Sequence, residues 1–596
     1  MLEPASNSMD QLHNEEYERP YLFPLFDHQS LIFMGGRRTE SLAGEWRFAI
    51  DPFDTGLRQK WYREDDRPLE HRILTADWDP GAGRTVPVPS CWNLIEPEWK
   101  LYEGAAWYCR DLDWTPGPVG ERVFLRVGAA AQEARIFLNG RFLGRHRGGS
   151  TPFFVELTDL RAGPNRLMLM VDNKRGRERV PMRHFDWFNY GGIYREIELL
   201  RLPPRFIQDL RVELVPNSEF RRIRVAITLS DKDAAAPAKL AIPGLGLEAE
   251  IRFLEGKGAL ELDAAPQLWS PASPTLYDLA VTWEADRVTD RVGFREIRTE
   301  GVRILLNGAP IYLRGACVHE DHPDLGKMTD ETIVRRMLTD ARDLGGNFLR
   351  LSHYPHHELA AKLADEIGVL LWAEIPVYWA IDFANAATYA DAENQMLEMM
   401  TRDHNRASVI LWGVGNENAD TDARLGFMGK LARRVKQADP TRLVSAACLI
   451  NREAKRIEDR LAAHLDVIGI NEYYGWYEPE VADLAAIGRN SDPGKPVLIS
   501  ETGADAPSGH HGGLEERYTE EFQANYYRRQ MEILNEIPWI QGIAVWLLYD
   551  FRSERRQNPF QRGLNRKGLV TFDRTTRKLA FSTLAQLFGA LAAQGR

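Results

Sequence analysis

The stretch "VILWGVGNEN", residues 409–418, runs eight residues suited to a buried strand straight into Asn416, Glu417 and Asn418. Burial penalises a carboxylate's charge, so a glutamate at the end of an apolar strand needs a reason. Similar short runs recur at residues 311–318, 347–352, 369–374, 443–450, 466–471, 496–500 and 542–548, which makes eight in all. Between them lie helical patterns such as "DETIVRRMLTDARDLG" and "FMGKLARRVKQADP". Alternation of short apolar strands with amphipathic helices predicts a (β/α)8 TIM barrel over residues 300–596. An open doubly wound sheet would carry a Gly-rich phosphate turn after an early strand, and no such turn occurs.

Upstream the rhythm is different. From Glu40 to Leu202 short strands are broken by Gly, Pro and Asn, and Asn139-Gly140 is a hairpin signal. These features predict a β-sandwich over residues 21–202, preceded by a polar arm at residues 1–20. Residues 203–299 alternate in the same way over the length of an immunoglobulin-like sandwich, without a Cys-Trp-Cys core.

Bulk composition narrows the function. The chain has 596 residues, 44 % apolar and 27 % charged, which suits several soluble domains. Its net charge of −11 argues against nucleic-acid and anionic-membrane partners. No apolar run approaches the ~20 residues of a membrane span. The N-terminus lacks the basic start and apolar stretch of a signal peptide, and the four scattered cysteines fit a reducing compartment, so the expected location is cytoplasmic. No metal ligand spacing is present. His319, Glu320, Asp321 and His322 are adjacent but fit no zinc pattern, and they are read as a hydrogen-bonded loop.

Chemistry in such a barrel sits at the C-terminal ends of the strands. Those ends carry Glu374, Glu417, Glu472, Glu501 and Asp550. Several carboxylates around one mouth must separate their pKa values, so that one donates a proton while another attacks. Glu417 and Glu501 stand out, because each closes an apolar run whose only polar residue is its immediate neighbour, Asn416 or Ser500. Two such carboxyls are what a glycosidase requires.

"NRASVILWGVGNEN" and "PVLISETGADAPSGHHGG" resemble the acid/base and nucleophile segments of family 2 glycoside hydrolases, whose members include β-glucuronidases and β-galactosidases. "SLAGEWRFAIDP", "FDWFNYGGIYREIEL", "RGACVHEDHPDLG", "RLSHYP", "DVIGINEYYGWY" and "LNRKGLVTFDR" extend the resemblance over nearly the whole chain. It implies a jelly-roll sugar-binding-like sandwich, an immunoglobulin-like sandwich and a catalytic barrel, a homo-oligomer, and no cofactor. It also implies roles: Glu417 as acid/base, Glu501 as nucleophile, and Asn416 on the sugar 2-hydroxyl. Tyr477 would hydrogen-bond Glu501, with Arg350 acting on the same carboxylate by charge. His353 and Trp546 would line the sugar subsite, and Asp186 would reach in from the N-terminal sandwich. Asn565 and Lys567 match an Asn-x-Lys that holds a uronate carboxylate, with Arg562 assisting. That pattern favours β-glucuronides, with β-galactosidase or β-galacturonidase activity as the alternative. Glu472 would weaken a uronate subsite unless it points away or pairs with an Arg. A catalytically silent sugar-binding protein on the same fold is the alternative of another class.

Overall fold

The computed structural model describes residues 19–63, 84–233 and 235–596. Most of the expected polar arm therefore lies outside the described residues. Two compact units emerge. One comprises the described parts of Met1–Ile32, Arg37–Lys174 and Asn189–Phe206, and the other Phe33–Gly36, Arg175–Phe188 and Ile207–Arg596.

The first unit is a β-sandwich. A seven-stranded sheet and a four-stranded sheet contribute side chains to a common core that includes Trp46, Leu125, Phe153 and Leu169. The Asn139-Gly140 signal is a hairpin turn as expected, with Leu138 opposite Arg141. Both turn residues have φ above zero, at 49° and 77°, the requirement of the tight turn that matches strand twist.

In the second unit, residues 207–292 form two antiparallel sheets of three and four strands around an apolar core with Trp283 at its centre. A closed parallel barrel follows: β1 (Leu313–Val318), β2 (Phe348–Leu351), β3 (Leu370–Glu374), β4 (Val409–Asn416), β5 (Leu443–Cys448), β6 (Val467–Asn471), β7 (Val497–Glu501) and β8 (Ile540–Val545). These are the eight runs read from the sequence. The flanking helices start where capping side chains allow. In α1 (Glu331–Asp343) the Asp330 carboxylate accepts from the amide of Ile333, and in α2 (Asp422–Ala438) the Thr421 hydroxyl accepts from that of Arg424. The β/α alternation fails once. Between β5 and β6 stand a two-stranded hairpin and the 3-10 turn Arg460–His464, because the short charged connection has no apolar stripe long enough for an α-helix.

Candidate active site

Strand ends converge at the mouth of the barrel. Arg350, near the end of β2 and fully buried, is the hub. Its guanidinium donates to Glu501 Oε1 at 2.9 Å, to Glu374 at 3.0 and 3.1 Å, to Asn416 Oδ1 at 2.8 Å and to the Ser500 carbonyl at 3.1 Å. His353 Nδ1 lies 2.7 Å from Glu374 Oε1, and its Nε2 stands 3.4 Å from Glu501 Oε1. Burial and the Arg350 charge hold the His353 imidazole well below its ordinary pKa, so it is neutral here. Asn471 Nδ2 donates to Asn416 Oδ1 at 3.1 Å, and the buried Asn416 Nδ2 has no partner among the described residues. A ligand hydroxyl is the natural acceptor for that amide.

Glu501 and Glu417 line one cavity of about 470 Å³. Burial drives the Glu501 carboxyl up to about 8, with Arg350 and the Tyr473 hydroxyl pulling it down and the Glu417 charge adding to the rise. Tyr473 donates to Glu501 Oε2 at 2.7 Å, opposite the Arg350 contact on Oε1. Glu417 has φ of 52°, a left-handed backbone that a glutamate adopts only under local constraint, and the Trp379 indole N–H donates to its Oε2 at 2.8 Å.

At the far wall stand Asn565 and Lys567. Lys567 Nζ donates to Asp505 at 2.5 Å and to the Tyr477 hydroxyl at 2.9 Å, and the buried Asn565 Nδ2 has no partner among the described residues. Burial pulls the Lys567 ammonium pKa down, but Asp505 and Tyr477 outweigh it, so the net shift is upward. Arg556 donates to the Tyr477 hydroxyl at 2.9 Å and forks onto Asp186, which also accepts from Ser553 Oγ at 2.5 Å.

Of the residues singled out in the sequence, Glu417, Glu501, Asp186, Tyr477, Trp546, Asn565 and Lys567 all line the cavity, with Arg350 and His353 against Glu501 and Asn416 against Arg350. Three expectations need correction. The tyrosine on Glu501 is Tyr473. Tyr477 instead sits 49 % exposed against Arg556 and Lys567, because the chain turns back after Tyr473, whose carbonyl accepts from the Tyr477 amide at 3.0 Å. Arg562 is exposed and folds back onto the Pro559 carbonyl at 2.9 Å, and Arg556 takes its place at the wall. Asp186 belongs with the barrel unit and not with the sandwich, since the segment Arg175–Phe188 packs there.

The other strand-end carboxylates are accounted for. Glu472 lines the cavity as well, with its Oε2 accepting from the Tyr474 amide at 3.2 Å and from Gln530 at 3.3 Å, and burial raises it to about 7. Asp550 pairs with Lys578 at 2.8 Å. The residues missed are Tyr473, Asn471, Trp379, Arg556 and Asp505. For the first two the period of β6 was a usable signal, whereas the others lie on loops whose course no local pattern reveals. Among the described residues no cluster of three or more His, Cys, Asp or Glu could hold a metal ion, and no helix is long and apolar enough to cross a membrane.

Three family models match the chain: glycosyl hydrolases family 2, sugar binding domain, over residues 39–203; glycosyl hydrolases family 2 over 206–295; and the family 2 TIM barrel domain over 297–590. Among its relatives, a β-glucuronidase of Paenibacillus borealis is 28 % identical over 91 % of this chain and 96 % of its own length. A β-glucuronidase structure from an uncultured Clostridium superposes with a TM-score of 0.83 at 27 % identity, covering 95 % of this chain and 100 % of that one. A β-galacturonidase of Eisenbergiella tayi, bound to galacturonate, superposes with a TM-score of 0.80 at 27 % identity, covering 94 % and 99 %.

Proposed function

The chain belongs to glycoside hydrolase family 2, and from that premise we propose that it is a retaining, exo-acting hydrolase of β-D-glucuronides. The observation that carries this reading is the presence, in one cavity, of Glu417, Glu501 and the buried Lys567–Asn565 pair. In the first step ionised Glu501 attacks the anomeric carbon while protonated Glu417 gives its proton to the glycosidic oxygen, and the aglycone leaves as an alcohol. In the second, Glu417 takes a proton from water, the hydroxide attacks the anomeric carbon, and Glu501 is released. Arg350 and Tyr473 each contact one oxygen of Glu501 and stabilise the carboxylate needed for attack. The free Asn416 amide donates to the sugar 2-hydroxyl, a contact that strengthens in the transition state. Both partners of Lys567 leave it one ammonium hydrogen, which with the free Asn565 amide suits a substrate carboxylate.

The runner-up is β-galacturonide hydrolysis, favoured by the likeness to a galacturonidase and by Arg556, which occupies Asp186 and stands at the sugar-facing wall. A silent sugar binder is disfavoured by the intact carboxylate pair. The expected location remains a reducing compartment, in keeping with four buried free cysteines.

The deciding measurement is kcat/KM on matched nitrophenyl β-D-glucuronide, β-D-galacturonide and β-D-galactoside, for the wild type and Lys567→Ala. Preference for the uronides over the galactoside, lost in Lys567→Ala, supports the reading. Preference for the galactoside with a ratio unmoved by the substitution overturns it. Glucuronide against galacturonide then separates the two uronide readings.

A further inference from the structure

The proposed chemistry fixes the side by which the aglycone leaves. Glu417 must protonate the glycosidic oxygen, so the departing group lies beyond Glu417, away from Asn565 and Lys567. The loop Tyr378–Trp379 after β3 stands on that side through the Trp379 contact with Glu417, and Leu449, Ile450 and Arg452 after β5 line the same cavity.

Trp379 is anchored by its indole N–H on Glu417, which ties this wall to the proton donor. Its ring is covered by the Arg555 guanidinium, 4.7 Å from the ring centroid. Arg555 is exposed, and among the described residues it makes no ion pair and no hydrogen bond. The ring face that a neutral aryl group would use is therefore capped by a cation whose edge donors remain open. A second cation, Arg452, stands 72 % exposed on the other loop, held 2.8 Å from Glu478. The remaining acid of the Arg555 loop, Glu554, is itself taken by Arg175 at 3.0 Å. In a chain of net charge −11, Arg555 beside the tryptophan of the acid/base, and Arg452 on the cavity lining, supply positive charge close to the acid/base.

We propose that Trp379, Arg555 and Arg452 form a subsite for an anionic aglycone, a ring system bearing a carboxylate or a sulfate near the scissile bond. This rests on Glu417 being the proton donor. The aglycone's anion meets Arg555 on its Trp379 platform, and Arg452 flanks it from the opposite loop. The substrate class is thus an acidic conjugate or acidic oligosaccharide with negative charge on both sides of the bond that is cut.

The test uses two umbelliferyl glycosides with phenols of nearly equal acidity, one with a neutral 4-methyl group and one with a 4-carboxymethyl group. Their glycone is whichever one the nitrophenyl panel shows to be cleaved, so failure of the glucuronide reading changes the glycone and leaves this comparison intact. We expect kcat/KM to favour the carboxymethyl substrate by roughly two- to fivefold at low ionic strength, as for an exposed ion pair, with the preference shrinking as salt is added. In Arg555→Gln the ratio should fall toward one, and in Arg555→Gln/Arg452→Gln it should reach one. A wild-type ratio of one overturns the proposal. So does a preference that survives the double substitution, which would place the anion elsewhere. If no glycoside in the panel is cleaved, the acid role of Glu417 falls and this subsite falls with it.

Discussion

At Arg350 a single guanidinium makes two similar glutamates unequal, since it touches Glu501 and not Glu417. The ionisation of Glu501 is nevertheless raised to about 8, mainly by burial and in part by the Glu417 charge. Glu501 must be ionised to attack, so the acid limb of kcat/KM should lie well above the ~4.3 of an ordinary glutamate. Glu417→Gln removes the like charge, and the limb should then move to lower pH. The measurement is the pH profile on an aryl glycoside whose leaving group needs no proton, and a limb that moves up would contradict the coupling. Tyr473→Phe removes a donor to the carboxylate, which is worth about 1.5–3 kcal/mol. It should lower kcat/KM by roughly ten- to a hundredfold, whereas Tyr477→Phe should act mainly through KM for uronides. This difference was hidden in "NEYYGWY", which offers three tyrosines. Counting inward positions from Asn471 selects Tyr473, but only once the end of β6 is known.

Among the elements, the barrel strands were the most legible, because eight apolar runs of strand length separated by amphipathic helices admit few other folds. Loops were the least legible. Arg556 and Arg562 are both arginines in one polar stretch, and only the course of the loop sends one to the wall and the other to solvent. Within β6 and its extension, alternation sends Asn471 and Tyr473 inward and Glu472 outward against the helix Glu520–Leu534. Glu472 is held by that helix through Gln530, although it also lines the cavity. Its folded ionisation at about 7 exceeds the ~4.3 of an unfolded glutamate, so its favourable contribution is complete below ~4.3 and is lost as pH rises through 7. Glu472→Gln should become progressively more stable relative to wild type between pH 5 and pH 8. Thermal melts across that range check the sign, and a constant difference would place the ionisation elsewhere.

On the scale of the whole molecule, the immunoglobulin-like sandwich and the barrel share one unit, and Arg295 is a principal link between them. Its buried guanidinium donates to the carbonyls of Ala407, Val409 and Thr441, at the start of β4 and just before β5. Trp269 adds an indole hydrogen bond to the Asp365 carbonyl at 2.8 Å. Replacing Arg295 with Met takes the donor from the Ala407 and Thr441 carbonyls, each loss costing about 1–3 kcal/mol, while the Val409 carbonyl keeps Arg442 Nε at 2.9 Å. The expected outcome is a lower urea midpoint with the barrel and its sandwich melting at separate concentrations, followed by fluorescence and by activity.

The segment Arg175–Phe188 interrupts the stretch of sequence that builds the first sandwich, yet it folds with the second unit and delivers Asp186 to the cavity wall. Modularity along the chain and modularity in space therefore disagree. A gene fragment beginning at residue 297 encodes every barrel strand but omits part of the pocket, and recombination at the visible linkers would separate a catalyst from one of its own walls. Inheritance of this activity is consequently indivisible: the early third of the chain must travel with the barrel, because a short excursion inside it is a piece of the barrel's site.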